Sequence, residues 1–553
     1  MKSKNSLFPA IFCLILLLFP STPSSACSDL VVGPKASVDG SVIISYAADS
    51  HSLYGELYHW PAAVWAPGTM RTVIEWDTHA YGGQIPEIGR TYNVVGNMNE
   101  KQVAITESTF GGRKELEGTE GLMDYGSLIY IALQRSASAR EAIDVMTGLV
   151  EKYGYKSSGE TFTIADKNEV WLMEMMGKGK GEKGAVWVAI RVPDDCITAH
   201  ANQSRIQQFP LNDPQNCLYS KDVISFAKSK GYYNGADKEF SFQKAYAPYD
   251  FGALRGCEAR VWAFFNKFAA EDMTPYLPLV MGHDKDAKPL PLFVKPKRKL
   301  SVADVRDMMR DHYEGTPMDM AQDIGAGPFK CPYRWRPMNF TVDGQEYVNE
   351  RSIATQQTGF VLVAQLRKHL PDYVGGVLWF GVDDADMAVF TPMYCSITRV
   401  PECYRVGNGD MMTFSPTSAF WMHNRVANMA YGKYNFMIKD IRKQQSALEG
   451  KYMHMQPLIE KYAQELGAKD EAAAVEFLTT YSCTEADAAT QIWSKLSEYL
   501  LVKYMDGNVK KEENGQFKQN GNGLSAYPDF PGYDEAYYRS IAKDTGDNLK
   551  VVK

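Results

Sequence analysis

The chain has 553 residues, 45% of them hydrophobic, 12% aromatic and 23% charged, enough for one large elaborated domain or two to three ordinary ones around a substantial core. Its net charge of −7 lacks the basic footprint of a nucleic-acid binder, and beyond the N-terminal segment no apolar run approaches the ~18 residues of a membrane span. Nine cysteines over this length are too sparse for a disulfide scaffold.

Lys2 and Lys4 precede an uncharged run from Leu7 to Pro20 and then the small residues Ser24-Ser25-Ala26 before Cys27. This is the pattern of a secretory signal over residues 1–26, with Ser24 and Ala26 flanking the cut, and it predicts export to the periplasm or beyond the cell. Cleavage after Ala26 would put a thiol and a terminal α-amine on Cys27. Such an amine titrates near ~7.7–8.0 and can accept the thiol proton at neutral pH. Three readings of Cys27 stay open at this point: a nucleophile carrying its own base, an ordinary cysteine near a cleavage site, or an acylated lipoprotein anchor. A lipoprotein signal usually has an aliphatic residue three before the cysteine, where Ser24 stands.

Leu30 to Val32 reads as a short strand, and Asp39-Gly40 between apolar β-formers is a hairpin signal leading into Val42-Ile43-Ile44. Antiparallel pairing would return Asp49 to the level of Cys27; alone, Asp49 reads equally as a strand-end turn residue. Asn93 to Glu100 is a turn before the strand Val103-Ala104-Ile105, and Ser127 to Tyr153 has helical spacing. Phe162 to Ala165 and Val170 to Met173 are strands around the turn Asp166-Lys167-Asn168. Gly179-Lys180-Gly181-Glu182-Lys183-Gly184 matches the dinucleotide glycine pattern but precedes a strand, Ala185 to Ile190, rather than a helix that could hold pyrophosphate; it reads as a hairpin loop.

His200-Ala201-Asn202-Gln203 ends the last of these strands, and an isolated asparagine such as Asn202 is usually a satisfied surface amide. Residues 301–395 mix helix and strand, with a Pro/Arg/Trp-rich segment from Pro332 to Pro337 and a strand-like Gly375 to Phe380. From Ser418 to about Asp506 the pattern is mostly helical, and the Gly/Asn/Lys-rich stretch Gly507 to Pro531 is expected to be mobile. Short turns, a helical pair and further strands indicate α+β architecture with antiparallel sheets. The nine histidines are scattered, without His-Glu-x-x-His or Cys-x-x-Cys, and there is no phosphate loop or Gly-x-Ser-x-Gly elbow; no metal or other cofactor is expected.

Ala26 to Gly33, Asp39-Gly40-Ser41 and Ala48-Asp49-Ser50 together resemble the opening of the cysteine dipeptidases typified by bacterial dipeptidase A. These are N-terminal-nucleophile hydrolases, more distantly related to bile salt hydrolases and penicillin V acylases. The resemblance continues in order through Met98 to Lys101, Ala201 to Ile206, Arg260-Val261-Trp262, Gly327-Pro328-Phe329, Pro332 to Pro337, Gln365-Leu366-Arg367 and Gly375 to Trp379. It implies an αββα sandwich of two antiparallel sheets over residues 27–410, with a mainly helical region, 411–553, packed on it. It also implies that Cys27 is the nucleophile with its α-amine as base and that Asp49 orients that amine. Asn202 would be an oxyanion-hole side chain and Arg260 an electrostatic support, with Thr109 falling where a backbone N–H supplies a second oxyanion donor. Tyr46 stands where many relatives have arginine, and it is assigned to the substrate-binding side. The implied activity is hydrolysis of dipeptides. An amidase on bile salt or penicillin V type acyl amides and a non-catalytic lipoprotein are the alternatives; the oligomeric state, homo-oligomer included, is left open.

Overall fold

The computed structural model describes residues 27–551, so the signal segment 1–26 lies outside the described residues. β1 (Asp29–Val32) and β2 (Val42–Asp49) pair antiparallel, with Val31 opposite Ile44 and Val32 opposite Ile43. Every residue of both strands is buried, because β2 is an inner strand covered on both faces, which is why it reads as a nearly continuous apolar run. The connection between them is wider than a tight Asp-Gly turn. The Lys35 and Ala36 N–H groups are taken by the Asp194 carbonyl and that of Val38 by Leu300, so the loop is drawn outward before Gly40, at φ 77°, turns it back.

The first sheet has six antiparallel strands, in the order Ile197–His200, β1, β2, Thr358–Leu366, Gly376–Val382 and Thr391–Tyr394. The second has eight, running from Cys217–Tyr219 through Ala185–Arg191, Val170–Gly177 and β4 (Gly159–Ala165) to β3 (Ala104–Phe110) and three two-residue strands. β3 and β4 pair in register with Thr106 opposite Thr163, and both lie against β2 of the first sheet. His200 is the pin between the sheets: its ring hydrogen bonds with Ser108 Oγ at 2.6 Å and Thr163 Oγ1 at 2.8 Å.

α1 (Tyr125–Arg135) and α2 (Ala139–Tyr153) form the helical pair expected from the periodicity. They separate at Ser136-Ala137-Ser138, because Ser138 caps α2 by accepting the Glu141 N–H, while Asp124 caps α1 by accepting that of Ser127. Leu128, Ile131, Ile143 and Met146 bury against Ile105, Ile164 and Trp171 of the second sheet. Further along, α3 (Ala259–Phe268) follows a π-helical turn over Ala253–Glu258. At the other end α4 (Ala419–Tyr431), α5 (Tyr434–Gly467) and α6 (Glu471–Tyr504) pack on one another, with α5 and α6 against Thr391–Tyr394 and α4 against Gly376–Val382 of the first sheet. Within the stretch Gly507 to Pro531, a hairpin of Glu512–Glu513 with Gln516–Phe517 docks through Glu512, which accepts from Lys503 at 2.8 Å and Tyr499 at 2.7 Å. A further helix, Glu535–Thr545, follows it, unanticipated from the sequence. None of Cys196, Cys217, Cys257, Cys331, Cys395, Cys403 and Cys483 is joined in a disulfide.

Candidate active site

Antiparallel pairing of β1 with β2 sets the site. Ser28 bridges Ala47, so Cys27, one residue earlier, lies beside the Ala48–Asp49 end of β2. The Cys27 side chain is 1% exposed, and its thiol donates to Glu107 Oε1 at 3.6 Å and Tyr46 Oη at 3.8 Å. Tyr46 Oη in turn donates to Glu107 Oε1 at 2.6 Å. Glu107 comes from β3, so the thiol sits where the two sheets meet.

Arg260, in the first turn of α3, joins the rest. Nη1 donates to the Cys27 carbonyl at 2.6 Å and to Ser28 Oγ at 2.8 Å, while Nη2 donates to the Ala201 carbonyl at 3.1 Å and Asn202 Oδ1 at 2.9 Å. A planar guanidinium with five donors suits this role: Nε remains for the Gly256 carbonyl at 2.7 Å, in the π-helical turn that leads into α3. Turns of that kind recur at functional sites. Asn202 follows the strand Ile197–His200 with φ 59°, a left-handed conformation that asparagine tolerates better than most residues. Its Nδ2 donates to the Thr109 carbonyl at 2.7 Å. Cys27, Arg260, Asn202 and Thr109 thus form one continuous hydrogen-bonded chain across the two sheets.

Asp49 is fully buried at the end of β2. Thr358 Oγ1 donates to its Oδ1 at 2.6 Å, and Arg351 Nη2 donates to Oδ2. Burial pushes the Asp49 carboxyl up from its ordinary range, opposed by the Arg351 charge and the Thr358 hydrogen bond. The Cys27 thiol is pushed well up, by burial first and then by the Glu107 and Asp49 charges, while a backbone hydrogen bond from Asp49 lowers it. Glu160 stands beyond Glu107, bridged by Thr109 Oγ1, which donates to Glu160 Oε1 at 3.0 Å and Glu107 Oε2 at 3.4 Å. Burial and then the Glu107 charge push the Glu160 carboxyl well above its usual value.

All six residues singled out in the sequence therefore come together: Cys27, Tyr46, Asp49, Thr109, Asn202 and Arg260. Sequence reading missed Glu107, Glu160 and Arg351. Glu107 left one trace, a charged residue inside the strand Ala104-Ile105-Thr106-Glu107-Ser108-Thr109-Phe110, where burial demands a partner. Arg351 left none, since it lies in a connecting segment with no periodicity.

The sequence model of peptidase family C69 matches residues 56–447. That span begins after Cys27 and Asp49 and includes Glu107, Asn202, Arg260 and Arg351. A probable dipeptidase of Latilactobacillus sakei is 27% identical over 478 residues, 82% of this chain and 90% of that protein. A probable dipeptidase of Salmonella dublin is 27% identical over 394 residues, covering 67% of this chain and 81% of its own. A dipeptidase of Bifidobacterium longum (strain NCC 2705) is 23% identical over 536 residues, 88% of this chain and 89% of that protein.

Proposed function

The chain belongs to peptidase family C69, and on that premise we propose that it is an exported dipeptidase whose nucleophile is Cys27, made N-terminal by cleavage after Ala26. The similarity to proteins named dipeptidases supports the substrate class. The observation that carries the chemistry is the hydrogen-bonded chain from Cys27 through Arg260 and Asn202 to Thr109. We read the two facing antiparallel sheets, with helices on the outer side of each, as an N-terminal-nucleophile sandwich extended by the helices after Ser418.

The thiolate attacks the scissile carbonyl, and the Asn202 side-chain amide acts with the Thr109 N–H on the developing oxyanion. The Cys27 ammonium, oriented by Asp49, protonates the leaving amine; the amine then serves as base while water hydrolyses the thioester. While Cys27 is still joined to Ala26 its nitrogen is an amide, and burial with Glu107 and Asp49 keeps the thiol protonated. Cleavage would put a cation on the same residue, which favours the thiolate. Processing and activation are then one event.

The test is a cytoplasmic version of the chain with a protease site immediately before Cys27. Uncut protein should be folded and nearly inert towards dipeptides, and trimming to Cys27 should restore turnover without a change in circular dichroism. Equal activity before and after trimming, with the uncut mass verified, would sink the assignment. Bile salt and penicillin V substrates assayed alongside decide between peptide and other acyl amides.

A further inference from the structure

The Pro332–Pro337 segment plays no part in the chemistry above, yet it runs beside the Asp49 end of the site. Tyr333 anchors it, donating to Asp384 Oδ1 at 2.7 Å in the buried loop after the strand Gly376–Val382. Here Arg334, Arg336, Glu350 and Arg351 line a narrow crevice. Three of these four charges are paired. Arg334 Nη2 donates to both Asp323 oxygens at 2.9 Å, Arg255 holds Glu350 at 2.6 Å, and Arg351 holds Asp49.

Arg336 is the exception. Its Nε and Nη2 donate to a neutral acceptor, the Gln357 amide oxygen, at 3.1 and 2.5 Å. Among the described residues no carboxylate lies within ion-pair distance of it. Gln357 ties it to the site: its backbone carbonyl accepts the Ser50 N–H at 2.9 Å, and the next residue, Thr358, holds Asp49. Burial, followed by repulsion from Arg351, brings the Arg336 guanidinium down to about 10, with Asp49 and Arg260 close enough to act on it as well. A partly desolvated guanidinium whose hydrogen-bond acceptor is a neutral amide is a site prepared for an anion, and a carboxylate matches its fork. On the second sheet the carboxyl facing Cys27 is that of Glu107, so an anionic group is disfavoured on that side.

We propose that Arg336 receives the α-carboxylate of the substrate, so that the leaving side of the scissile bond is limited to one residue. This deepens the dipeptidase reading and rests on it for the substrate. Arg336 is thereby a specificity-determining residue. Losing one buried charge-assisted pair corresponds to roughly 10- to 100-fold in affinity.

The experiment compares alanyl-alanine with its C-terminal amide on the purified enzyme and its Arg336→Met and Arg336→Lys variants. Arg336→Met should lower kcat/KM for the free acid roughly 10- to 100-fold, chiefly through KM, and leave the amide within about twofold, with Arg336→Lys recovering part of the loss. Calorimetric binding of both ligands to Cys27→Ala with and without Arg336→Met reads the same preference without turnover, so a failure of the dipeptidase reading shows separately as absent hydrolysis in the unmutated enzyme. Equal losses on acid and amide, or an unchanged preference for the acid in the binding measurement, would overturn the proposal.

Discussion

Replacing Glu107 with glutamine isolates the electrostatics of the thiol. The amide side chain would keep the shape and an oxygen for Tyr46, while removing a negative charge 3.6 Å from Cys27 Sγ. At an effective dielectric of ~20, two full charges at that separation interact by about 4–5 kcal/mol, an upper bound of roughly three pK units. The real change is smaller, because burial raises the Glu107 carboxyl itself and so lowers its mean charge. We expect the Cys27 thiol to fall, by less than that bound. The sign follows from the cause: a nearby negative charge disfavours thiolate, so removing it favours thiolate. The measurement is ultraviolet thiolate absorbance against pH in the trimmed protein, with the same titration of Cys27→Ala subtracted to remove the other cysteines. An unchanged or higher thiol midpoint in folded Glu107→Gln protein would refute the reasoning.

Asn202→Ala removes the side chain assigned to the oxyanion, and kcat for a dipeptide should fall roughly 10²- to 10³-fold with KM little changed. A loss confined to KM would make Asn202 a ground-state binding group. His200, pinned between the sheets, is held down to about 3, by burial first and then by the Arg205 and Arg260 charges. A histidine depressed in the folded state weakens the fold as pH drops below its unfolded value of ~6.5, by about 1.4 kcal/mol per pH unit until the folded value is reached. Urea midpoints between pH 7 and pH 5 should therefore fall more steeply in the unmutated protein than in His200→Gln, and equal slopes would count against a neutral buried imidazole.

Much of this was readable in the chain itself because its causes are local. The caps at Asp124 and Ser138 act over three residues, and the β1–β2 pairing that returns Asp49 to Cys27 is set by two neighbouring apolar runs. Cys27, Asp49, Asn202 and Arg260 were legible through residue types in order and through resemblance. The electrostatic surroundings were not. Glu107 meets Cys27 across 80 positions, and Arg351 meets Asp49 across 302. Which carboxylate gains a guanidinium and which is left against a phenol depends on where two sheets and a long connection converge. No periodicity encodes that, because a charged residue far along the chain carries no mark of its partner. The same holds for Arg336, whose neighbours Arg334 and Arg351 found carboxylates while it found an amide. Local interactions specified the strands and helices; only packing, by removing water, decided which of their charges would be paired, shifted or left for a substrate.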